Sequence, residues 1–220
     1  MQSAFRAGYY TETALINLTD QILFELDQDK VSGMVFVDFK KAFDVVDHKL
    51  LLTKLHLYRM SDSSLSWFES YLADRQQYVS IDGQRSDSLL VTQGVPQGSV
   101  LGPVLFLLFV NDIPLHLSNS IVDIYADDTT LTTSAHFSKL RPMTEHLNCD
   151  LDAVQRWATN NKMFINQKKT ESLLVHGKQI PAKLDANTPL RLDIKIDGSV
   201  IEEVPSHKIL GVSIDRHLNF

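Results

Sequence analysis

Two adjacent aspartates, Asp127 and Asp128, constrain the fold more than any other feature of this sequence. The apolar residues 124–126 lead up to the pair, and the β-favouring residues 129–131 follow it. This pattern predicts a β-hairpin with both aspartates at its turn. Aspartate is a common turn residue, so the pair alone indicates a turn more strongly than it indicates a metal site.

A third aspartate gives the pair a chemical meaning. Asp38 comes at the end of the apolar run 34–37, which predicts a strand with the carboxylate near its C-terminal end. Two strands of this kind, side by side, would bring together the hard oxygen ligands that Mg²⁺ prefers. The sequence therefore predicts a divalent-cation site formed by Asp38, Asp127 and Asp128.

The composition bounds the class of protein. A chain of 220 residues with 44% hydrophobic and 22% charged residues predicts one globular domain with a substantial core. The net charge of −6 argues against a free-standing nucleic-acid-binding protein, because phosphate contacts need Lys and Arg. The charge is unevenly distributed: residues 1–160 carry 12 basic and 20 acidic residues, whereas residues 161–220 carry 9 and 7.

Cysteine usage and hydropathy predict an intracellular protein that is not associated with a membrane. The single cysteine, Cys149, excludes an intrachain disulfide and is expected to be a small buried residue of a helix. The longest apolar run, 100–110, is too short to span a bilayer, and the amino terminus has no signal-peptide pattern. Nucleus and cytoplasm both remain open.

Apolar periodicity favours an α+β fold, in which antiparallel hairpins alternate with long helices. Ser32 and Gly33 are expected to turn the chain into the first strand, and Asp47, Ser61 and Ser99 to cap helices. The predicted helices are 11–28, 48–58, 61–73, 99–115 and 138–160. The predicted strands are 34–39, 77–81 and 88–92 around the turn at Asp82 and Gly83, 163–166, 172–175, 191–196, 200–204 and a single last strand, 209–214. Residues 177–189 are expected to form a polar loop.

The loop 92–99 contains two Gln-Gly pairs around a proline. Glycine lets a backbone approach a ligand closely, and the glutamine amides can donate hydrogen bonds. Alone the loop would be read as a turn. Because it precedes a buried helix and the aspartate hairpin, it is expected to face a substrate.

Taken together, these blocks resemble the reverse transcriptase domain of non-LTR, LINE-like retrotransposons, in the family's order and over nearly the whole chain. Residues 5–8 resemble an early block of the family, although Tyr9 and Tyr10 replace its usual Arg-Ser. The other matching blocks are 37–44 (motif A), 93–103 (motif B), 125–128 (motif C), 166–170 (motif D) and 207–211 (motif E). The resemblance implies a right-hand polymerase palm, an antiparallel sheet backed by helices, with part of the fingers and no thumb. Residues 1–220 would then be a fragment that ends at the primer-grip segment.

The resemblance also implies an RNA-directed DNA polymerase that extends a DNA primer 3′-OH on an RNA template, using dNTPs and either Mg²⁺ or Mn²⁺. Asp38 and Asp127 would bridge two metal ions, with Asp128 as a secondary carboxylate and Phe39 as a carbonyl ligand. Lys169 would be the general acid, although Lys168 could serve instead. The remaining implied site residues are Lys41, Ala42, Phe43, Gln97 and Gly98 for the nucleotide, and Leu210 and Gly211 for the primer grip.

Several alternatives stay open from the sequence. Phe43 would be either a steric gate against the ribonucleotide 2′-OH or a core residue. The chain could be an active core within a longer retrotransposon polyprotein, or an inactive or domesticated fragment that binds nucleic acid or protein. It could also be a reverse transcriptase of the group II intron type. The missing fingers block and the thumb would belong to the full-length protein.

Overall fold

The computed structural model describes residues 3–4, 8, 10–183 and 189–219. Most of the early block compared above, residues 5–7, and the neighbouring Tyr9 lie outside the described part. The helices are α1 Thr11–Leu26, α2 His48–Leu57, α3 Asp62–Leu72, α4 Leu101–Val110, α5 Leu140–Asn160 and α6 Ile180–Lys183, with 3₁₀ helices at Ile113–His116 and Phe137–Lys139. The strands are β1 Lys30–Val37, β2 Gln76–Gln77, β3 Ser80–Ile81, β4 Gln84–Arg85, β5 Leu89–Leu90, β6 Ile121–Tyr125, β7 Asp128–His136, β8 Glu171–Val175, β9 Lys195–Ile196, β10 Ser199–Val200, β11 Glu202–Glu203, β12 Ser206–Ile209 and β13 Val212–Asp215.

A five-stranded sheet forms the centre of the described fold, with the strand order β11-β8-β1-β7-β6. Strands β8, β1, β7 and β6 are antiparallel to their neighbours, whereas β11 runs parallel to β8. The α+β class is confirmed, but the sheet is mixed rather than purely antiparallel. The reason is that Glu202 and Glu203 leave the β9–β10 hairpin and join the outer edge of β8 in the same direction.

Strand β1 lies at the centre of this sheet and is buried on both faces. Val31, Val35 and Val37 pack into the larger core together with α4 and α5, while Met34 and Phe36 face a smaller core beside α1. This alternation is the period of two expected of a strand. The expectation that Ser32 and Gly33 form a turn was wrong, because they pair with Ser134 and Thr133 inside the strand.

The predicted helices are largely confirmed. The apolar stripe of α5, from Met143 to Trp157, is buried, and the carboxylate of Asp47 accepts a hydrogen bond from the Leu50 amide at the start of α2. Ser61 caps α3 in the same way. Cys149, however, is exposed, because it lies outside the buried stripe.

Helix α4 is shorter than predicted. It ends at Val110, and a 3₁₀ turn with Pro114 at its start follows, so the helix does not continue to residue 115. The Ser99 hydroxyl accepts a hydrogen bond from the Gly102 amide at 2.9 Å, as expected of a residue that caps this helix. The predicted loop at 177–189 contains the short helix α6.

Two predicted strands were wrong. Residues 163–166 form only one isolated bridge, between Phe39 and Ile165. Residues 209–214 form parts of two strands, because Leu210 and Gly211 adopt positive φ angles of 48° and 91° and reverse the chain between β12 and β13. The predicted turn at Asp82 and Gly83 is confirmed, although its hairpin is interrupted between β2–β5 and β3–β4.

A partly buried ion pair joins α2 to the chain that follows α4. The ammonium of Lys54, whose side chain is 11% exposed, lies 2.7 Å from the carboxylate of Asp112. Trp157 donates its indole N–H to the same carboxylate, and Lys54 also donates to the Phe109 carbonyl. Within the described residues, no helix is long and apolar enough to cross a membrane.

Candidate active site

The pairing of β1 with β7 brings the three predicted aspartates to one end of the sheet. Val37, the last residue of β1, pairs with Thr129, so Asp38 emerges beside Asp128 at the start of β7. Asp127 lies in the two-residue turn between β6 and β7, where Ala126 adopts a positive φ of 57°. All three line one cavity of about 90 Å³. The predicted convergence of these carboxylates is therefore observed.

Burial and like-charge repulsion both disfavour the charged form of Asp128 in this cavity. Partial burial raises the pKa of the Asp128 carboxyl above its usual range, the Asp127 and Asp38 carboxylates raise this pKa further, and His207 lowers it. Asp127 and Asp128 remain open to solvent. A cation placed among these oxygens would relieve the repulsion, and carboxylate oxygens suit Mg²⁺. The residues therefore fit a divalent cation, although among the described residues no three potential ligands are already gathered around one point.

We expect Asp128→Asn to stabilise the metal-free protein at neutral pH. The raised pKa means that the folded chain binds more protons than the unfolded chain, whose Asp titrates near 3.8. The wild type should therefore lose unfolding free energy as the pH rises above about 3.8, whereas the asparagine variant escapes this loss. Thermal unfolding in EDTA between pH 3.5 and 7.5 would measure the difference. A variant less stable than the wild type at pH 7 would contradict this electrostatic account.

Basic side chains line the cavity as well as the aspartates. Lys169, His207 and Lys208 contribute to its wall. Lys168 instead lines a separate cavity. The structure thus separates two adjacent lysines that the sequence left as alternatives for one role.

The segment carrying Lys169 is attached directly to Asp38. The Asn166 amide donates to the Asp38 carbonyl at 2.7 Å, and the Lys40 amide donates to the Phe164 carbonyl at 2.8 Å. The hydroxyl of Thr170 accepts a hydrogen bond from the Asp38 amide at 3.3 Å. The two backbone bonds flank Phe39 and form its isolated bridge with Ile165. The Phe39 carbonyl takes no part in these bonds. That carbonyl was the predicted metal ligand, a role that stays a prediction.

His207 is a cavity residue to which the sequence analysis assigned no role. Its Nδ1 lies 2.8 Å from the Glu171 carboxylate, and its ring stacks on Phe36 at a centroid distance of 3.7 Å. These contacts attach β12 to the central sheet beside the aspartates. The only signal for this residue in the sequence was its position at the start of the motif E block.

The glycine-rich loop folds against the segment that follows Asp38. The Gly94 amide donates to the Val46 carbonyl at 2.8 Å, and the Val95 amide donates to the Phe43 carbonyl at 2.9 Å. The Gln97 amide side chain donates to the Asp44 carboxylate. Motifs A and B therefore form one continuous surface.

The five predicted nucleotide residues lie in these two segments and not in the wall of the aspartate cavity. Lys41 is exposed and Ala42 is buried, so Ala42 could contact a nucleotide only through its backbone. Phe43 is half-buried and stacks on Phe106 at a centroid distance of 4.1 Å. Their role in nucleotide binding, with that of Gln97 and Gly98, stays a prediction.

We expect Gly94→Ala to destabilise the protein by about 2–4 kcal/mol. Gly94 has a φ of +88°, and an added Cβ would lie 2.7 Å from the Asp44 carbonyl oxygen, which is backbone and cannot move aside. Gly98 has a similar φ of +79° with open space around it, so Gly98→Ala should cost only about 1–2 kcal/mol. Urea denaturation of both variants would measure the difference, and equal losses would show that the close approach to Asp44 is unimportant.

The predicted primer-grip residues lie at the tip of the β12–β13 hairpin. Leu210 packs against the smaller core beside α1, and Gly211 is exposed in the turn. Neither lines the aspartate cavity, but His207, Lys208 and Ile209 of the same hairpin do. The hairpin thus extends from the candidate site to the face covered by α1.

Comparisons with known proteins agree with this geometry. A family model described as reverse transcriptase (RNA-dependent DNA polymerase) matches residues 1–214. The chain is 32% identical over 227 residues to the RNA-directed DNA polymerase from mobile element jockey of Drosophila melanogaster, with 100% of this chain and 23% of that relative covered. It is 31% identical over 233 residues to the probable RNA-directed DNA polymerase from transposon X-element of the same organism, with the same coverage of both chains. The chain therefore spans about a quarter of the length of these relatives.

Solved structures share the fold at low sequence identity. An apo telomerase from Candida tropicalis, truncated from its C-terminal domain, superposes with a TM-score of 0.62 at 15% identity, covering 99% of this chain and 40% of that chain. A telomerase from Candida tropicalis solved with a fragment of telomeric RNA gives a TM-score of 0.61 at 14% identity, covering 99% of this chain and 33% of that chain. At these identities the likeness concerns the fold alone.

Proposed function

We propose that this chain, which belongs to the reverse transcriptase (RNA-dependent DNA polymerase) family, is the polymerase core of a non-LTR retrotransposon protein that copies RNA into DNA. The observation that carries the proposal is the convergence of Asp38, Asp127, Asp128 and Lys169 on one cavity. The similar relatives are polymerases of mobile elements, which favours this reading over an intron-type enzyme.

The carboxylates would hold two divalent cations, Mg²⁺ or Mn²⁺. Asp38 and Asp127 would be the main residues that hold the ions, with Asp128 as a secondary carboxylate and the Phe39 carbonyl as a further ligand. Two ions bound in this way would lower the pKa of the attacking primer hydroxyl and neutralise the charge of the triphosphate. Two hydrogen bonds support this role because they hold the backbone of Asp38 in place: the Asn166 amide donates to the Asp38 carbonyl, and the Asp38 amide donates to the Thr170 hydroxyl.

Lys169 is the proposed general acid. As the primer 3′-oxygen bonds to the α-phosphorus and the bond from that phosphorus to the bridging oxygen breaks, the Lys169 ammonium would give a proton to the leaving pyrophosphate and would later regain one from solvent. Lys169 lines the aspartate cavity and Lys168 does not, which supports the choice between them.

The β12–β13 hairpin would hold the DNA primer, with Leu210 and Gly211 at its tip. His207 supports this role because it attaches the hairpin to the sheet through Glu171 and Phe36. Residues 1–220 would comprise the palm and part of the fingers, and other segments of the longer protein would supply the remaining fingers and the thumb. An intracellular location, with nucleus and cytoplasm both open, stays part of the proposal.

Phe43 is the proposed steric gate. Its half-buried ring rests on Phe106, which would fix it against the sugar of an incoming nucleotide. We expect Phe43→Val to raise ribonucleotide incorporation relative to deoxyribonucleotide incorporation by at least about tenfold, equivalent to about 1.4 kcal/mol of discrimination. Competing rNTPs against dNTPs in primer extension would measure the ratio. Phe24→Val, at an exposed position of α1, is the control, and unchanged sugar selectivity in Phe43→Val would leave Phe43 as a packing residue.

Primer extension tests the function as a whole. The 220-residue chain would be incubated with a DNA primer annealed to an RNA template, dNTPs and Mg²⁺, and parallel reactions would contain Mn²⁺ or EDTA. We expect template-directed extension that requires a divalent cation. If the folded chain binds the primer and template but adds no nucleotide with either metal, the proposal of an inactive binding fragment replaces that of a polymerase core.

A further inference from the structure

A second cavity, of about 600 Å³, lies on the other side of the bridge around Phe39. Neighbouring residues line different cavities. Phe39 and Lys169 line the aspartate cavity, whereas the adjacent Lys40 and Lys168 line the second one. The mechanism proposed above uses none of the side chains of the second cavity.

Two lysines, Lys40 and Lys168, bring positive charge to this cavity. The side chains of Lys40 and Lys168 are exposed, and among the described residues neither has a carboxylate within ion-pair distance. The one carboxylate in the wall, Asp197, already accepts hydrogen bonds from the side-chain amides of Gln155 and Gln167. Phosphate oxygens are suitable partners for such unpaired ammonium groups.

The remaining walls suit a flat apolar group. Ala158, Met163 and Ile196 are buried and form apolar parts of the wall. Phe164 also lines the cavity; the residue is 61% exposed, and its carbonyl accepts a hydrogen bond from the Lys40 amide. An exposed aromatic ring beside cations is a surface on which a nucleobase stacks.

We propose that this cavity is a second nucleotide-binding site, in which Lys40 and Lys168 bind phosphate and Phe164 stacks on the base. The side-chain amides and Asp197 offer donors and acceptors to the base edge or to the sugar hydroxyls. The nucleotide is either free in solution or one unit of a nucleic-acid strand, because both present the same phosphate and base. A nucleotide bound here would contact Lys40 and Lys168, which are the chain neighbours of Phe39 and Lys169 in the aspartate cavity.

Equilibrium dialysis in EDTA tests this proposal separately from polymerase activity. Without divalent cations the three aspartates disfavour a triphosphate in their own cavity, and binding that depends on Lys168 and Phe164 reports the second site. The probes are dATP and a single-stranded pentamer of adenylate. We expect Lys168→Gln and Phe164→Ala each to weaken binding by about tenfold or more. Lys178→Gln, at an exposed lysine outside the cavity, should leave binding unchanged.

The two probes distinguish the two sources. Tighter binding of dATP assigns the site to free nucleotides, and tighter binding of the pentamer assigns it to a strand, provided that Lys168→Gln and Phe164→Ala weaken the binding in either case. The proposal is overturned if neither probe binds the wild type, or if the two variants bind as well as the wild type while their thermal unfolding is unchanged. A chain that fails in primer extension could still bind nucleotides here, so the two proposals fail independently.

Discussion

Asp38→Asn is expected to lower the rate of nucleotide addition by at least about 1,000-fold, or about 4 kcal/mol in the activation barrier. Asparagine keeps the shape of aspartate but removes the negative charge with which Asp38 would hold the two cations. Asp127→Asn should have an effect of similar size. Single-turnover extension of a primer by one nucleotide, at saturating dNTP and Mg²⁺, would measure this rate.

The loss should be specific to the cavity. Asp152→Asn, at an exposed position of α5, removes the same charge from the surface and should change the rate less than about twofold. Asp38→Asn should not destabilise the metal-free fold, because Asp38 is one of the carboxylates that raise the pKa of Asp128. A rate within about tenfold of the wild type would remove Asp38 from the metal site.

Asp112→Ala is expected to lower the unfolding free energy by about 3–5 kcal/mol, because it leaves the Lys54 ammonium buried without its counter-charge. The same change removes the acceptor of the Trp157 indole N–H in the larger core. Urea denaturation at pH 7 would measure the loss. The exposed pair of Arg141 and Glu145 is the control, and Glu145→Ala should cost less than about 1 kcal/mol.

The pH dependence of Asp112→Ala distinguishes a buried charge from lost packing. Burial lowers the pKa of Lys54 below 10.5, and Asp112 opposes that shift in the wild type. Without Asp112, the Lys54 ammonium should lose its proton at a lower pH in the folded chain than in the unfolded chain. The unfolding free energy of the variant should then recover, relative to the wild type, as the pH rises towards 10.5. A deficit that is constant with pH would indicate lost packing instead.

The parts of the fold that follow local rules could be predicted from the sequence. The buried stripe of α5 repeats with the helical period, and the caps at Asp47 and Ser61 are set by the next three residues of the chain. The meeting of Asp38 with Asp127 and Asp128 could be predicted because both segments present an apolar run that ends in a carboxylate. The separation of these aspartates is set by the pairing of β1 with β7, which no local sequence pattern specifies.

The parts that depend on distant contacts were missed. Residues 209–214 are mostly apolar, so the sequence indicated one strand where the chain instead turns at Leu210 and Gly211. Nothing local predicts that Glu202 and Glu203 add a parallel strand to β8. Lys168 and Lys169 could not be told apart either, because the bridge around Phe39 decides which of them lines which cavity.

The hydrogen bond between the Asp38 amide and Thr170 joins residues 132 positions apart, and this separation bears on how the protein is synthesised. A nascent chain that has emerged only through α5 already contains all three aspartates, β1 and β7. It still lacks β8, the strand that pairs with β1 on the side opposite β7. Until residues 171–175 leave the ribosome, the central strand has an unpaired edge, which is the kind of surface that chaperones must protect from aggregation.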